Sequence, residues 1–131
     1  MVTIKADKTR RALRDSVSIS FGLGTPDEIS DEIQGMLDVL LDRVHSPIDP
    51  DKPTALMEVA DAYYMRASEI AFKIHRLERK GVIKRGDELY RLRTGEIADF
   101  LEACKRTIET GSRRLSAMQY ELDQSRMGRA G

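Results

Sequence analysis

The stretch LMEVADAYYMRASEIAFKIHRL, residues 56–77, carries an apolar residue at alternating intervals of four and three: Leu56, Ala60, Tyr63, Ala67, Ile70, Ile74 and Leu77. A period of 3.5 residues draws one narrow stripe along an α-helix, and such a stripe leaves water only by meeting another helix. A second stretch, IADFLEACKRTIETGSRRLSAMQYEL at 97–122, keeps the same beat with Ile97, Leu101, Cys104, Ile108, Gly111, Leu115, Met118 and Leu122. Only a short link rich in glycine and basic residues separates the two runs. The simplest arrangement is a long antiparallel helical hairpin, so the expected class is all-α.

Upstream, residues 25–44 predict a shorter helix. Thr25 is a good N-cap, Pro26 suits the first helical position, and Asp27 and Glu28 favour the positive end of the helix dipole. Ile29, Ile33, Met36, Leu37, Leu40, Leu41 and Val44 form a wide apolar face, as expected of a helix packed on a body. Ser46, Pro47, Pro50 and Pro53 then end it and stiffen the link. The second helix is expected over about 54–80, with Gly81 as a left-handed cap. The third is expected from Asp87 to about Gln124. Thr94-Gly95 marks a weak spot in it, or else a fresh cap, and Tyr90 keeps the beat across that point, which favours continuity. Gly111 on the stripe costs about 1 kcal/mol of helix stability, and close approach of another backbone is the expected compensation.

The expected organisation is therefore a basic arm at 1–24, a helical oligomerisation domain at 25–124 and a flexible tail at 125–131. In the arm, Val17, Ile19 and Phe21 alternate with serines like a short strand, while Leu13 and Val17 fit a basic helix equally well.

With 131 residues the chain fits one domain. Its 22 basic and 22 acidic residues cancel, which sets it apart from globally basic nucleic-acid binders. The charge is nevertheless segregated: residues 1–15 carry a net +3, residues 24–62 a net −8 and residues 72–93 a net +5. Opposite signs on different parts of one molecule favour head-to-side contact between copies. No apolar run approaches the length of a membrane span, and no secretory segment opens the chain, so a cytoplasmic location without membrane contact is expected. Cys104, the one cysteine, sits on a stripe and reads as a small apolar residue.

The residues offer no catalytic constellation. Neither His45 nor His75 has a second histidine or a cysteine at ligand spacing, and the carboxylate pairs Asp27/Asp31 and Glu28/Glu32 read as a solvated face. The segment Gly81-Val82-Ile83-Lys84-Arg85-Gly86 lacks the length and the terminal Lys-Ser/Thr of a phosphate loop. No enzyme activity, metal or cofactor is expected. Two basic clusters are the candidates for nucleic-acid contact: Lys5, Lys8, Arg10, Arg11 and Arg14 in the arm, and Arg79, Lys80, Lys84, Arg85, Arg91 and Arg93 around the hairpin tip. Tyr63, Ala67, Ile70 and Ile74 of one stripe, with Ile97, Leu101, Ile108, Gly111 and Leu115 of the other, are the candidates for contact between subunits. Which stripe faces inward and which faces a neighbour is open at this point.

Three segments, Tyr63-Tyr64-Met65-Arg66-Ala67-Ser68-Glu69-Ile70, Arg93-Thr94-Gly95-Glu96-Ile97 and Gly111-Ser112-Arg113-Arg114-Leu115, resemble the small terminase subunits of actinobacterial phages. The resemblance covers about residues 54–122. It implies a non-catalytic homo-oligomeric ring that binds double-stranded viral DNA and regulates a separate large terminase subunit bearing the ATPase and nuclease. Many members of that family carry an N-terminal helix-turn-helix domain, whereas this chain has a basic arm in its place. The alternative is a helical adaptor or structural protein of a phage connector or another nucleoprotein assembly.

Overall fold

The computed structural model describes residues 22–130, and every regular element among them is helical. Helix α1 spans Pro26–Val44, α2 spans Ala55–Arg79, α3 spans Glu88–Leu92, and α4 spans Ala98–Ala130. Between α3 and α4 the chain passes through one π-helical turn, Arg93–Ile97, without leaving the helical path. The all-α class is as expected.

The local chemistry of the ends follows the sequence. Thr25 caps α1 by accepting a 3.2 Å hydrogen bond from the Glu28 N–H. At the other end of α2, Gly81 adopts φ +74°. The Val82 N–H then reaches the Leu77 carbonyl at 3.0 Å and the Gly81 N–H reaches that of Glu78 at 3.1 Å, the paired bonds of a Schellman cap. The Asp87 carboxylate, at the start of α3, accepts the Lys84 N–H at 2.8 Å and closes the tip loop.

Helices α2 and α4 lie against one another in opposite directions: Arg93 meets Glu78 at one end, and Gly111 meets Met57 at the other. Helix α1 packs on both. The core between them is Ile29, Ile33 and Leu40 of α1, Ala60, Ala67, Ile70, Ile74 and Leu77 of α2, and Ile97, Phe100 and Cys104 of the last helical stretch. The stripe of α2 is thus an intrachain seam. From the end of the π-turn into α4 the most buried line runs Ile97, Phe100, Cys104, Thr107 and Gly111, while Leu101 and Ile108 are half-buried beside it. Two helices pack on α4, so its apolar face is wider than a single coiled-coil stripe.

Burial within one chain separates the residues expected at contacts between copies. Ala67, Ile70, Ile74 and Ile97 are at most 1 % exposed within one chain. Tyr63, Leu101 and Ile108 pack against the same core, and Gly111 is buried against Met57. These residues pack the chain's own helices together. Leu115 stays half-exposed.

Two boundaries also move. Leu23 is 5 % exposed and belongs to the core, so the body begins before residue 25. At the far end α4 continues to Ala130, through the segment expected to be a tail. The run Glu121-Leu122-Asp123-Gln124-Ser125-Arg126-Met127 contains neither glycine nor proline, and each added helical residue gains a backbone hydrogen bond once the helix is nucleated. Ala130 lies roughly 28 Å beyond Gly111 along the helix axis. Residues 119–128 are all exposed.

Candidate nucleic-acid interface

The tip of the bundle is built by the end of α2, the capped turn and α3. Five of the expected cations, Arg79, Lys80, Lys84, Arg85 and Arg91, are exposed there. The Schellman cap and the Asp87–Lys84 backbone bond fix the turn that carries Lys84 and Arg85. Ile83, 6 % exposed, plugs the turn into the core. Arg85 is steered by Tyr90, whose hydroxyl accepts its Nε–H at 3.2 Å; that bond raises the pKa of a guanidinium that is charged at any physiological pH.

Arg93 leaves the set. Its guanidinium forms a two-pronged ion pair with Glu78, with Nη2 donating to Oε1 at 2.7 Å and Nε donating to Oε2. The pair is half-buried, and the hydrogen bond to Glu78 raises the Arg93 pKa. Arg93 also lies over the Tyr90 ring, 5.6 Å from its centroid. A bidentate, partly buried arginine joins α2 to the π-turn, which sets Arg93 apart from the five exposed cations. The cluster Lys5, Lys8, Arg10, Arg11 and Arg14 lies outside the described residues, as does the alternating segment before Gly22.

The opposite sign is carried by α1, whose Asp27, Asp31, Asp38 and Asp42 are exposed. Two carboxylates near it are occupied. Glu32 takes Arg66 in a bidentate pair, with Nε–Oε1 at 2.7 Å. Glu96, displayed by the π-turn, accepts the Ser30 hydroxyl at 2.9 and 3.0 Å and the Gln34 amide at 2.9 Å. The Glu96 contacts were not legible in the sequence, since they depend on the extra residue that the π-turn inserts. Thr94 and Gly95 are poor helix formers, and the Thr94 hydroxyl bonds back to the Tyr90 carbonyl at 2.9 Å, which favours such a distortion at that point.

Arg114 is a further residue that periodicity missed. Its Nη2 donates to the Val44 carbonyl at 2.6 Å and satisfies the C-terminal end of α1 from across the bundle. No spacing rule signals a contact between residues so distant in the chain. Cys104 is buried, and desolvation raises its thiol pKa to about 11, so it stays a neutral packing group at neutral pH. Among the described residues no group of three or more His, Cys, Asp or Glu side chains gathers at metal-binding distance. No helix among them is long and apolar enough to cross a membrane.

Compared with models of known families, with curated proteins and with solved structures, the chain matches none of them.

Proposed function

We propose that the chain is a non-catalytic DNA-binding subunit of the small-terminase kind, which assembles with copies of itself and presents double-stranded DNA to a separate packaging enzyme. The observation that carries this reading is the cationic tip: Arg79, Lys80, Lys84, Arg85 and Arg91, exposed together at the end of α2, on the capped turn and on α3. Mobile cations on a fixed frame suit the phosphate backbone, which needs charge and no base-specific geometry. Repeated around a ring, the tips would form a continuous basic belt. The segments that resemble small terminase subunits supply the biological setting, the ring and the large subunit as partner.

Assembly must then use apolar groups other than the internal seam. The exposed candidates are Met65 and Phe72 on α2, 66 % and 61 % exposed, and Tyr120, Leu122 and Met127 on the projecting part of α4. A projecting helix of one copy lying on the outer side of another is a heterologous contact, which closes into a ring when the rotation permits. The projecting α4 equally favours the second reading, an adaptor whose partner is a different protein.

Fluorescence anisotropy with a short duplex tests the proposal. Five phosphate contacts give a salt slope that lowers affinity roughly 10²- to 10³-fold between about 50 and 200 mM salt. Lys84→Glu with Arg85→Glu is expected to weaken binding and to flatten that slope by about two. Affinity that ignores salt, or that survives the double substitution unchanged, contradicts a DNA-binding tip.

A further inference from the structure

At the end of the bundle away from the tip, the proline-rich link between α1 and α2 folds over a cleft of about 150 Å³. Three cations from three separate parts of the chain line it: Arg43 in the last turn of α1, Lys52 in the link and Arg114 in α4. Arg43 and Lys52 are exposed and in no ion pair among the described residues. Arg114 is half-buried and already oriented by its bond to the Val44 carbonyl, which uses one of its N–H groups and leaves others. That bond also covers a carbonyl at the negative end of α1, which would otherwise repel an anion. The acid in the lining is Asp49, whose Oδ1 is turned to the Asp51 N–H at 2.9 Å. The first turn of α2 forms another wall, and Thr54 before it provides no side-chain cap.

We propose that this cleft binds one phosphate group, held by Arg43, Lys52 and Arg114. Its volume is below the ~300 Å³ at which sites for larger organic ligands begin, so a single tetrahedral oxyanion fits better than a whole nucleotide. Three cations and a single carboxylate line so small a space, so its wall carries a net positive charge that favours an anion. Two sources share this chemistry: a backbone phosphate of DNA, or free phosphate. The DNA source rests on the proposed function; the site itself does not. The 25 residues of α2 place the tip roughly 37 Å from the cleft, close to the 34–36 Å of one duplex turn.

The test is thermal unfolding of the full chain in inorganic phosphate and in chloride at matched ionic strength and pH. Phosphate should raise the Tm of the wild type by a few degrees once it exceeds its Kd severalfold. The rise should persist in Lys84→Gln/Arg85→Gln and disappear in Arg43→Gln/Lys52→Gln, whose replaced side chains are exposed and whose fold is checked by circular dichroism. No rise in the wild type, or an equal rise in the Arg43/Lys52 variant, overturns the proposal. With duplex DNA as the probe, a salt slope reduced by about one in the Arg43/Lys52 variant assigns the site to a backbone phosphate. An unchanged slope alongside the lost phosphate effect assigns it to free phosphate. Loss of all DNA binding by the wild type would contradict the proposed function and leave the phosphate result standing.

Discussion

Gly111 shows how a single residue sets the distance between two helices. A Cβ built at that position would lie 2.6 Å from Met57 Cγ and 3.7 Å from the Met57 backbone nitrogen. Glycine costs α4 about 1 kcal/mol of helix propensity, and the return is close packing against the first turns of α2. Gly111→Leu should therefore lower stability by about 1–3 kcal/mol, as overpacked cores do. Chemical denaturation measures this, and combining the change with Met57→Ala should restore part of the loss, because the two side chains contend for one space. Full stability of Gly111→Leu would show that α2 and α4 separate without cost. Glycine on the seven-residue stripe was a readable sign of close approach. That its neighbour would be a methionine side chain was not, because the sequence does not give the register between the helices.

The elements differ in how much of them the sequence disclosed. Helices α1 and α2 were legible because their caps are local: Thr25-Pro26 at one start and Gly81 at one stop act within a few residues of themselves. The stripe of α2 was legible because one line of side chains suffices on that helix. From the π-turn into α4 the same 3.5-residue spacing includes Ile97, Cys104 and Gly111 and omits Phe100 and Thr107, which share the buried line with them. A helix that meets two partners buries two adjacent lines, and a single 3.5-residue template selects only one. The π-turn adds to this, since it shifts the register by a residue and brings Glu96 to α1. Glu96→Ala should remove the hydrogen bonds to Ser30 and Gln34 and cost about 1 kcal/mol, the low end for a charged acceptor because the site is partly solvated. Hydrogen exchange should then quicken in α1 ahead of α2 and α4. Uniform quickening would mean that Glu96 supports the whole bundle and does not specifically tether α1.

For the whole molecule, the decisive fact is that the α2 stripe from Ala60 to Leu77 and the second stripe as far as Gly111 pack inside one chain, while Leu115 is half-exposed and Leu122 exposed beyond them. Over those segments the helix that each stripe meets belongs to the same chain. Of the candidate DNA contacts, five keep an exposed place at the tip, Arg93 is tied to Glu78, and the five in the arm lie outside the described residues. What remains for other copies is the segregated charge, an acidic α1 against a basic tip, and the exposed apolar side chains of α2 and of the projecting α4. Charge alone selects and orients partners but adds little affinity at physiological salt, so in the proposed assembly those apolar groups would supply the cohesion. The proposed function requires that this chain assemble with itself into a closed structure. Light scattering of the purified protein at low and high salt measures this directly. The expected result is one species of several times the single-chain mass of 14.8 kDa, persisting at high salt. A particle of 14.8 kDa at every concentration would contradict self-assembly and turn attention to an adaptor with a different partner.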